Sequence, residues 1–193
     1  WVRLDPGASW MYLRQYFYDW ETERPADLVI ERVGARYPSP QPSPAEISRR
    51  IDKLIEWTPT WYRHLERRIE GYYDSPPDRC TFNLSTAGMD GLLYGKGHFT
   101  IAEDQAAILE FRPPDCRYWS IQIMNDFWES QEFDVRQTSL NGHQARLDPD
   151  GVFRGVISVN DPGVPNWLDP VGHKNGLICA RVLYPTSTPE VTI

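Results

Sequence analysis

The chain of 193 residues carries 27 acidic and 20 basic side chains, a formal charge of −7, and eight tryptophans. Its aromatic content of 13% excludes a disordered chain, and the lack of an apolar run of about 18 residues excludes a membrane-spanning helix. The acidic balance argues against nonspecific nucleic-acid binding, which needs a basic surface. We therefore expect a globular protein with no membrane span and no nucleic-acid partner.

Two short strands are predicted near the start of the chain. Met11–Tyr18 and Leu28–Ile30 are dense in aromatic and aliphatic residues, which favours strands over a free helix. Two strands without a partner sheet are marginally stable on their own. We therefore expect residues 1–36 to close a sheet that belongs to an earlier β-domain.

A sequence echo supports that interpretation. Trp1–Phe17 and Trp167–Leu183 both contain Leu-Asp-Pro close to a tryptophan, and both have an arginine, Arg14 or Arg181, at near-equal spacing further on. Internal similarity of this kind indicates repeated structural units. The echo predicts that residues 1–36 end a truncated upstream β-domain, which is the first partner expected for this protein.

A proline-rich connector and a helical pair are predicted over residues 37–78. The alternating prolines up to Pro44 predict a stiff, extended chain. Ser43 and Pro44 then predict a helix start, because serine caps a first turn and proline has the backbone angle of its first residue. Apolar residues follow at helical spacing, and Thr58-Pro59 predicts a kink or a restart.

The remainder, residues 79–193, is predicted to be β-rich. Pairs of Asp or Asn with Gly separate the short apolar runs and indicate turns. About seven short strands with no helix between them predict an antiparallel jelly-roll-like β-sandwich, so the whole chain is expected to be mainly β with a helical segment (α+β). The predicted strands are Leu92–Ile101, Gln105–Phe111, Arg117–Met124, Phe133–Thr138, His143–Leu147, Val152–Val159 and Gly176–Leu183.

The same part of the chain carries a set of motifs: Tyr118–Gln122, Leu147–Gly151, Asn166–Leu168, and Arg181 with Tyr184-Pro185. Together they resemble a bacterial family called domain of unknown function twelve-fourteen. Members of that family usually follow a partner domain, twelve-fifty-four, and both domains are jelly-roll-like. The resemblance implies a jelly roll within a two-domain, actinobacterial-type protein. It carries over no catalytic residue, and Asp169 stands where the broader family has proline.

Three histidines in the β-rich part are the candidate metal ligands. Zinc or iron could bind His98, His143 and His173 together with a carboxylate. None of the three lies at the close spacing from another that is typical of local metal motifs. We therefore expect scattered histidines, and we predict neither a metal nor another cofactor.

The cysteines favour a reducing compartment. They are odd in number and widely spaced, which argues against a disulfide framework or a zinc ribbon. Nothing near residue 1 is typical of a signal peptide. We expect a cytoplasmic protein with buried thiols at Cys80, Cys116 and Cys179.

Candidate catalytic groups follow one of the predicted strands. Asp126 and Glu129 flank Trp128, and they could act as acid and base if the indole desolvated one of them. His98 and His143 are the other candidates for such a role. The interpretation that we favour is a turn in which Asp126 caps backbone groups.

A further constellation is interpreted as architectural. Asn166 is expected to fix a loop, and Trp167 to plug one end of the sandwich. Arg181 lies on a predicted strand and needs a carboxylate partner if it is buried. Asp169 is the expected partner of that arginine.

Two functions from different classes follow from these patterns. The first is the binding or conversion of a small apolar or aromatic molecule at the sandwich mouth or at the domain interface, with Trp119, Trp128 and Trp167 as candidate ligand contacts. The alternative is a non-catalytic structural or interaction module of tandem jelly rolls, which associates through its helices, as a homo-oligomer for example. The fold alone does not decide between them.

Overall fold

A computed structural model describes residues 5–8, 11–30, 34, 38, 40–85 and 90–193. The protein is mainly β with one helix, which confirms the predicted fold class at this level. Its nine strands form one mixed sheet. The elements are, in chain order, α1 (Pro44–Tyr73), β1 (Arg79–Leu84), β2 (Leu92–Thr100), β3 (Ala106–Phe111), β4 (Tyr118–Met124), β5 (Ser139–Asn141), β6 (Phe153–Ser158), β7 (Trp167–Leu168), β8 (Asn175–Leu183) and β9 (Val191–Thr192).

Helix α1 begins where the sequence predicts. Ser43 Oγ accepts a hydrogen bond from the backbone N–H of Glu46 at 3.2 Å, and Pro44 occupies the first turn. The C-terminal end of the helix packs against the sheet, whereas a row of earlier apolar side chains stays exposed: Ile47, Ile51, Leu54, Trp57 and Trp61. Within the part of the chain that the structure describes, no helix is long and apolar enough to cross a bilayer.

The predicted kinked pair of helices is wrong, because α1 is one helix that runs through Pro59. Proline removes one N–H donor from the helical ladder. The carbonyl that loses this donor is that of Ile55, and the surrounding residues are exposed, so water can satisfy it. One residue earlier, the hydroxyl of Thr58 donates a hydrogen bond to the carbonyl of Leu54 at 2.8 Å. The helix therefore tolerates the proline without ending there.

The sheet has the strand order β5-β4-β8-β2-β1-β9-β3-β6-β7 and curves back on itself. Strand β1 joins its two halves, since Thr81–Leu84 pair with β2 and Arg79–Cys80 pair with β9. Phe111 of β3 and Trp119 of β4 are distant in the strand order, but their ring centroids are 5.0 Å apart. Apolar side chains of both halves thus enclose one core. The prediction of a purely antiparallel sheet is wrong, because β6 and β7 are parallel.

Two of the predicted strands do not form. Phe133–Thr138 makes tight turns, in which the N–H of Arg136 donates to the carbonyl of Glu132 at 2.8 Å, and its apolar side chains point to solvent. His143–Leu147 begins in a turn that Asn141 organises, since its Oδ1 accepts from the N–H of His143 at 2.9 Å. Only the short strand β5 lies in this region.

The predicted strands at the start of the chain are also wrong. Met11–Tyr18 has no strand partner among the described residues and lies over the outer face of the sheet, where the rings of Tyr16 and Tyr18 pack on Tyr118 at 5.2 and 5.3 Å. Leu28–Ile30 is exposed and unpaired in the same set of residues. Aromatic side chains hold this segment in place of a backbone ladder, and the residues from Trp1 to Leu4, the start of the sequence echo, fall outside the described residues.

A second, smaller apolar cluster lies on the outer face of the sheet. Tyr72 at the end of α1 packs against Met124, Leu177 and Cys179 of β4 and β8. Trp128, in the loop that follows β4, is packed against this cluster. Helix α1 and the segment 11–18 therefore both cover the outer face, and the space between them forms the site described next.

Candidate functional site

A cavity of about 420 Å³ lies on the outer face of the sheet, between the segment 11–18, the end of α1 and strands β2 and β8. We call it the arginine pocket. Its described lining consists of three arginines, four aromatic residues and three others: Arg14, Arg68, Arg181, Tyr12, Tyr16, Tyr94, Trp128, Gln15, Ser85 and Leu92. A volume of this size is typical of small-molecule sites, which run from about 300 to 1,000 Å³.

Three different elements bring the positive charges together. Arg14 comes from the extended segment near the start, Arg68 from the last turns of α1, and Arg181 from the middle of β8. The described lining contains no Asp or Glu, and no described carboxylate forms an ion pair with any of the three. By contrast, Arg154 pairs with three carboxylates on the other half of the sheet. Within the described residues, a chain of net charge −7 thus leaves three arginines of one cavity without an ion-pair partner.

Aromatic rings hold these guanidinium groups in place. The Arg68 carbon Cζ lies 4.2 Å from the ring centroid of Trp128 and 5.8 Å from that of Tyr94. Its Nε is buried and has no hydrogen-bond partner among the described residues. Arg181 lies 5.4 Å from the Tyr94 ring, and among the described residues its Nη1 donates to the neutral side chain of Gln122, at 3.1 Å. Cation–π contacts orient a guanidinium but do not neutralise it.

The predicted ion pair between Asp169 and Arg181 is wrong. Asp169 is buried after β7, where it accepts a hydrogen bond from Arg136 Nη1 at 2.8 Å and another from the N–H of Val171 at 2.7 Å. Arg181 lies between β2 and β4, where its register partners are Tyr94 and Ser120. The two side chains belong to different parts of the sheet.

The polar ends of two of the pocket aromatics, Trp128 and Tyr94, are bonded to Tyr72, which lies beneath the pocket. Trp128 Nε1 donates to the hydroxyl of Tyr72 at 3.0 Å, and that hydroxyl donates to the Tyr94 hydroxyl, also at 3.0 Å. Burial raises the pKa of both tyrosines, so the two hydroxyls stay neutral. What Trp128 and Tyr94 contribute to the cavity is therefore mainly the apolar surface of their rings.

Trp128 reaches this position through an unusual backbone conformation. Its φ is +61°, in the left-handed region that side chains rarely adopt. Asn125 holds the tight turn, because its Oδ1 accepts from the N–H groups of Phe127 and Glu129, both at 3.0 Å. Such strained residues concentrate at binding and catalytic sites, and here the strain carries an indole ring to Arg68.

The predicted acid–base pair lies on this same turn but outside the pocket lining. Asp126 accepts hydrogen bonds from Tyr73 and from Asn175, and Asn125 Nδ2 donates to the Glu129 carboxylate at 2.7 Å. Both carboxylates are bonded to neighbouring side chains. Burial, and after it the hydrogen bond to Asp126, raises the pKa of Tyr73 to about 12.

The candidate histidines have separate surroundings. His98 Nε2 is 3.2 Å from the carbonyl of Ser75, His143 Nε2 is 3.8 Å from Asp19, and His173 is exposed in the loop before β8. The residues that the structure describes contain no group of three or more His, Cys, Asp or Glu side chains that could hold a metal ion.

Of the three tryptophans predicted to contact a ligand, Trp128 is the one that lines the arginine pocket. Trp119 is 5% exposed and stacks edge-to-face on Phe111 and Phe153 in the main core. Trp167 donates from Nε1 to the carbonyl of Ser158 at 2.9 Å. These two indoles are part of the packing of the sheet.

Sequence reasoning missed Arg14 and Arg68 as site residues. Arg14 was part of the sequence echo with Arg181, and these two arginines do meet in one cavity. No spacing rule relates Arg68 to either of them, because it comes from a helix. The useful signal is the convergence of the arginines on a cavity whose described lining has no carboxylate, and only the three-dimensional arrangement reveals it.

A larger cavity of about 860 Å³ lies between the ends of β2 and β3. Its described lining is mostly aliphatic and hydroxyl side chains, with His98 and Glu110 as the titratable groups. It therefore lacks the convergent charge that distinguishes the smaller arginine pocket. We take the arginine pocket as the candidate functional site.

Comparison with known proteins supports the fold. No family model and no curated protein matches the chain. Among solved structures, an uncharacterised protein from Burkholderia cenocepacia has a TM-score of 0.82 at 25% identity, over 91% of this chain and 50% of its own. A protein from Vibrio parahaemolyticus has a TM-score of 0.45 at 17% identity, over 56% of this chain and 33% of that one. This chain thus spans half the length of the Burkholderia protein, whose fold it shares.

Proposed function

We propose that this protein binds a small organic anion in the arginine pocket. The observation that carries the proposal is the convergence of Arg14, Arg68 and Arg181 on a cavity whose described lining has no carboxylate. The described part of the lining also has no His or Cys, which favours binding over acid–base or nucleophilic chemistry. This proposal keeps the small-molecule function predicted from the sequence and adds charge to the ligand.

The energetic reason is the cost of leaving partly buried cations unpaired: Arg68 and Arg181 are half-buried, whereas Arg14 is exposed. A charge that is removed from water without a partner destabilises the folded state by several kcal/mol, roughly, unless an opposite charge compensates it. The unpartnered Nε of Arg68 and the single neutral acceptor of Arg181 show that the described residues do not supply that charge. An anionic ligand supplies it, and part of its binding free energy comes from this compensation.

The experiment is calorimetric titration of the full chain with a panel of organic anions at constant ionic strength: benzoate, 2-naphthoate, glutarate and phenyl phosphate. We expect at least one of them to bind, and Arg68→Met and Arg181→Met each to weaken that binding by about 10- to 100-fold, since a charge-assisted hydrogen bond contributes roughly 1.5–3 kcal/mol. The matched control is Arg63→Met, which removes an exposed arginine of α1 that does not line the pocket.

The stability of the ligand-free variants provides an independent readout. Because Arg68 and Arg181 have no carboxylate partner among the described residues, replacing either by methionine should leave Tm unchanged or raise it. The proposal would be overturned if Arg63→Met weakened binding as much as the pocket variants do. It would also be overturned if no anion of the panel bound.

The exposed face of α1 supports the alternative function, a non-catalytic interaction module. Ile51, Leu54 and Trp57 lie in the middle of this row of apolar side chains. Light scattering tests it: self-association that Leu54→Glu abolishes would favour this alternative. Whichever of the two functions holds, we propose three further features from the sequence patterns. The upstream β-domain is a partner, the curved sheet has jelly-roll connectivity, and residues 92–185 belong to the twelve-fourteen family.

A further inference from the structure

We infer that the anion is the single carboxylate of a flat aromatic molecule, with the carboxylate on the arginines and the ring system among the pocket aromatics. This inference rests on the proposed function and names the ligand class for the same site. Three features of the pocket support it: the way Arg68 is held, the surface that the aromatic residues present, and the size of the cavity.

The head group follows from the positive groups that the pocket offers. All are guanidinium groups, whose planar fork of N–H donors matches the two oxygens of a carboxylate. The rings of Trp128 and Tyr94 fix the position of the Arg68 fork.

The body of the ligand follows from the surface between the arginines. Trp128 and Tyr94 direct their polar atoms to Tyr72, which leaves ring surface towards the cavity. Gln15 is partly engaged, because its Oε1 accepts from the N–H of Ala26 at 2.7 Å. Side-chain hydrogen bonds join Tyr16 and Tyr12 to Arg14. The described polar groups left for a sugar or a polyol are then those of Ser85, the amide nitrogen of Gln15 and the arginines themselves. Aromatic rings prefer to stack on, or to meet edge-to-face with, another aromatic ring.

The size of the cavity excludes a very small anion as the full occupant. A volume of about 420 Å³ corresponds to roughly 14 water molecules at about 30 Å³ each. Inorganic phosphate or acetate would leave most of that space to water. A carboxylate that carries two fused rings fills it better and reaches both the arginines and the aromatic residues.

The test compares four probes on the full chain by calorimetric titration. They are 2-naphthoate, its neutral isostere 2-naphthamide, its saturated analogue decahydro-2-naphthoate, and inorganic phosphate. We expect 2-naphthoate to bind about tenfold or more tightly than each of the others, because only it offers both the carboxylate and the flat ring system. Trp128→Leu should narrow the preference for the aromatic acid over the saturated acid, whereas Trp57→Leu, on the exposed face of α1, should not.

Each other result overturns a defined part of the argument. If the saturated and the aromatic acid bind equally well, the ligand does not need an aromatic ring system, but the anion-binding function stands. If 2-naphthamide binds as tightly as 2-naphthoate, the ligand does not need a carboxylate. Phosphate that binds more tightly than 2-naphthoate also overturns the inference, while the proposed function stands. Failure of every anion to bind in an arginine-dependent way overturns both.

Discussion

Asn166 shows how one buried amide ties three backbone segments together. Its Oδ1 accepts from the N–H of Arg146 at 2.9 Å, and its Nδ2 donates to the carbonyls of Arg146 at 2.7 Å and Arg154 at 3.0 Å. These hydrogen-bond partners are all backbone groups, whose donor or acceptor character is fixed. The residue itself is 8% exposed. A side chain at this position must therefore both donate and accept.

Asn166→Asp should destabilise the protein in a pH-dependent way. An ionised carboxylate would face two carbonyl oxygens, so we expect the free energy of unfolding to fall by about 3 kcal/mol at pH 8. The same contacts raise the pKa of the new carboxyl above its unfolded value of about 3.9, so the loss is small below that pH and grows as the pH rises. Urea unfolding at pH 4 and pH 8 measures it.

The control for this prediction is Asn160→Asp, which makes the same change of charge at an exposed residue. Asn160 Nδ2 makes one hydrogen bond of 3.3 Å, to the carbonyl of Glu103. We expect its effect to stay within about 0.5 kcal/mol at both pH values. A similar loss in both variants, or an Asn166→Asp loss that does not change with pH, would contradict the argument.

At the scale of the element, α1 carries an internal proline at a measurable cost. Pro59 removes the N–H that would bond to the carbonyl of Ile55, and a proline inside a helix is less favourable than alanine by about 3 kcal/mol. Pro59→Ala should therefore stabilise the middle of α1. Hydrogen exchange by mass spectrometry is the measurement, with slower exchange expected between Leu54 and Arg63.

Thr60→Ala is the matched control for that variant. Thr60 is the next residue of the helix, is exposed, and already has its backbone N–H. Replacing it changes helix propensity by less than about 1 kcal/mol. Equal exchange in Pro59→Ala and in the unmodified chain would show that the proline does not limit the stability of this helix.

At the scale of the whole molecule, the elements that the sequence predicts best are those with a long apolar pattern. Leu92–Ile101, Gln105–Phe111 and Gly176–Leu183 were predicted within a residue or so of β2, β3 and β8. Strands β7 and β9 have two residues each, too few to show a period. Pairing creates them: β7 pairs with β6, and β9 pairs with the distant strands β1 and β3. Met11–Tyr18 has a strand-like composition, but its aromatic residues pack as side chains on the sheet.

The candidate site was predictable only in part, for a related reason. Trp128 stands out in the sequence as an aromatic residue between two carboxylates, and it lines the pocket. Arg14, Arg68 and Arg181 come from separate elements, and what singles them out is that they line one cavity. That convergence is a property of the folded arrangement, and no local pattern encodes it.

Tyr72 is the residue that connects the fold to the site. It is fully buried at the end of α1, packs on β4 and β8, and bonds through its hydroxyl to Trp128 and Tyr94 of the pocket. Tyr72→Phe keeps the ring but leaves the Trp128 N–H without its acceptor. We therefore expect the free energy of unfolding to fall by about 1–3 kcal/mol, as measured by urea unfolding.

The same substitution should also weaken ligand binding, because Trp128 and Tyr94 lose the contact that orients their rings. We expect the affinity for 2-naphthoate to fall several-fold under conditions in which the variant is still folded. Tyr62→Phe, on the exposed part of α1 with 65% of its surface accessible, should change neither quantity by more than about 0.5 kcal/mol. If Tyr72→Phe lowers stability but leaves the affinity unchanged, the hydroxyl stabilises the contact between helix and sheet without positioning the pocket residues. If neither stability nor affinity changes, the hydrogen bonds of this hydroxyl contribute to neither.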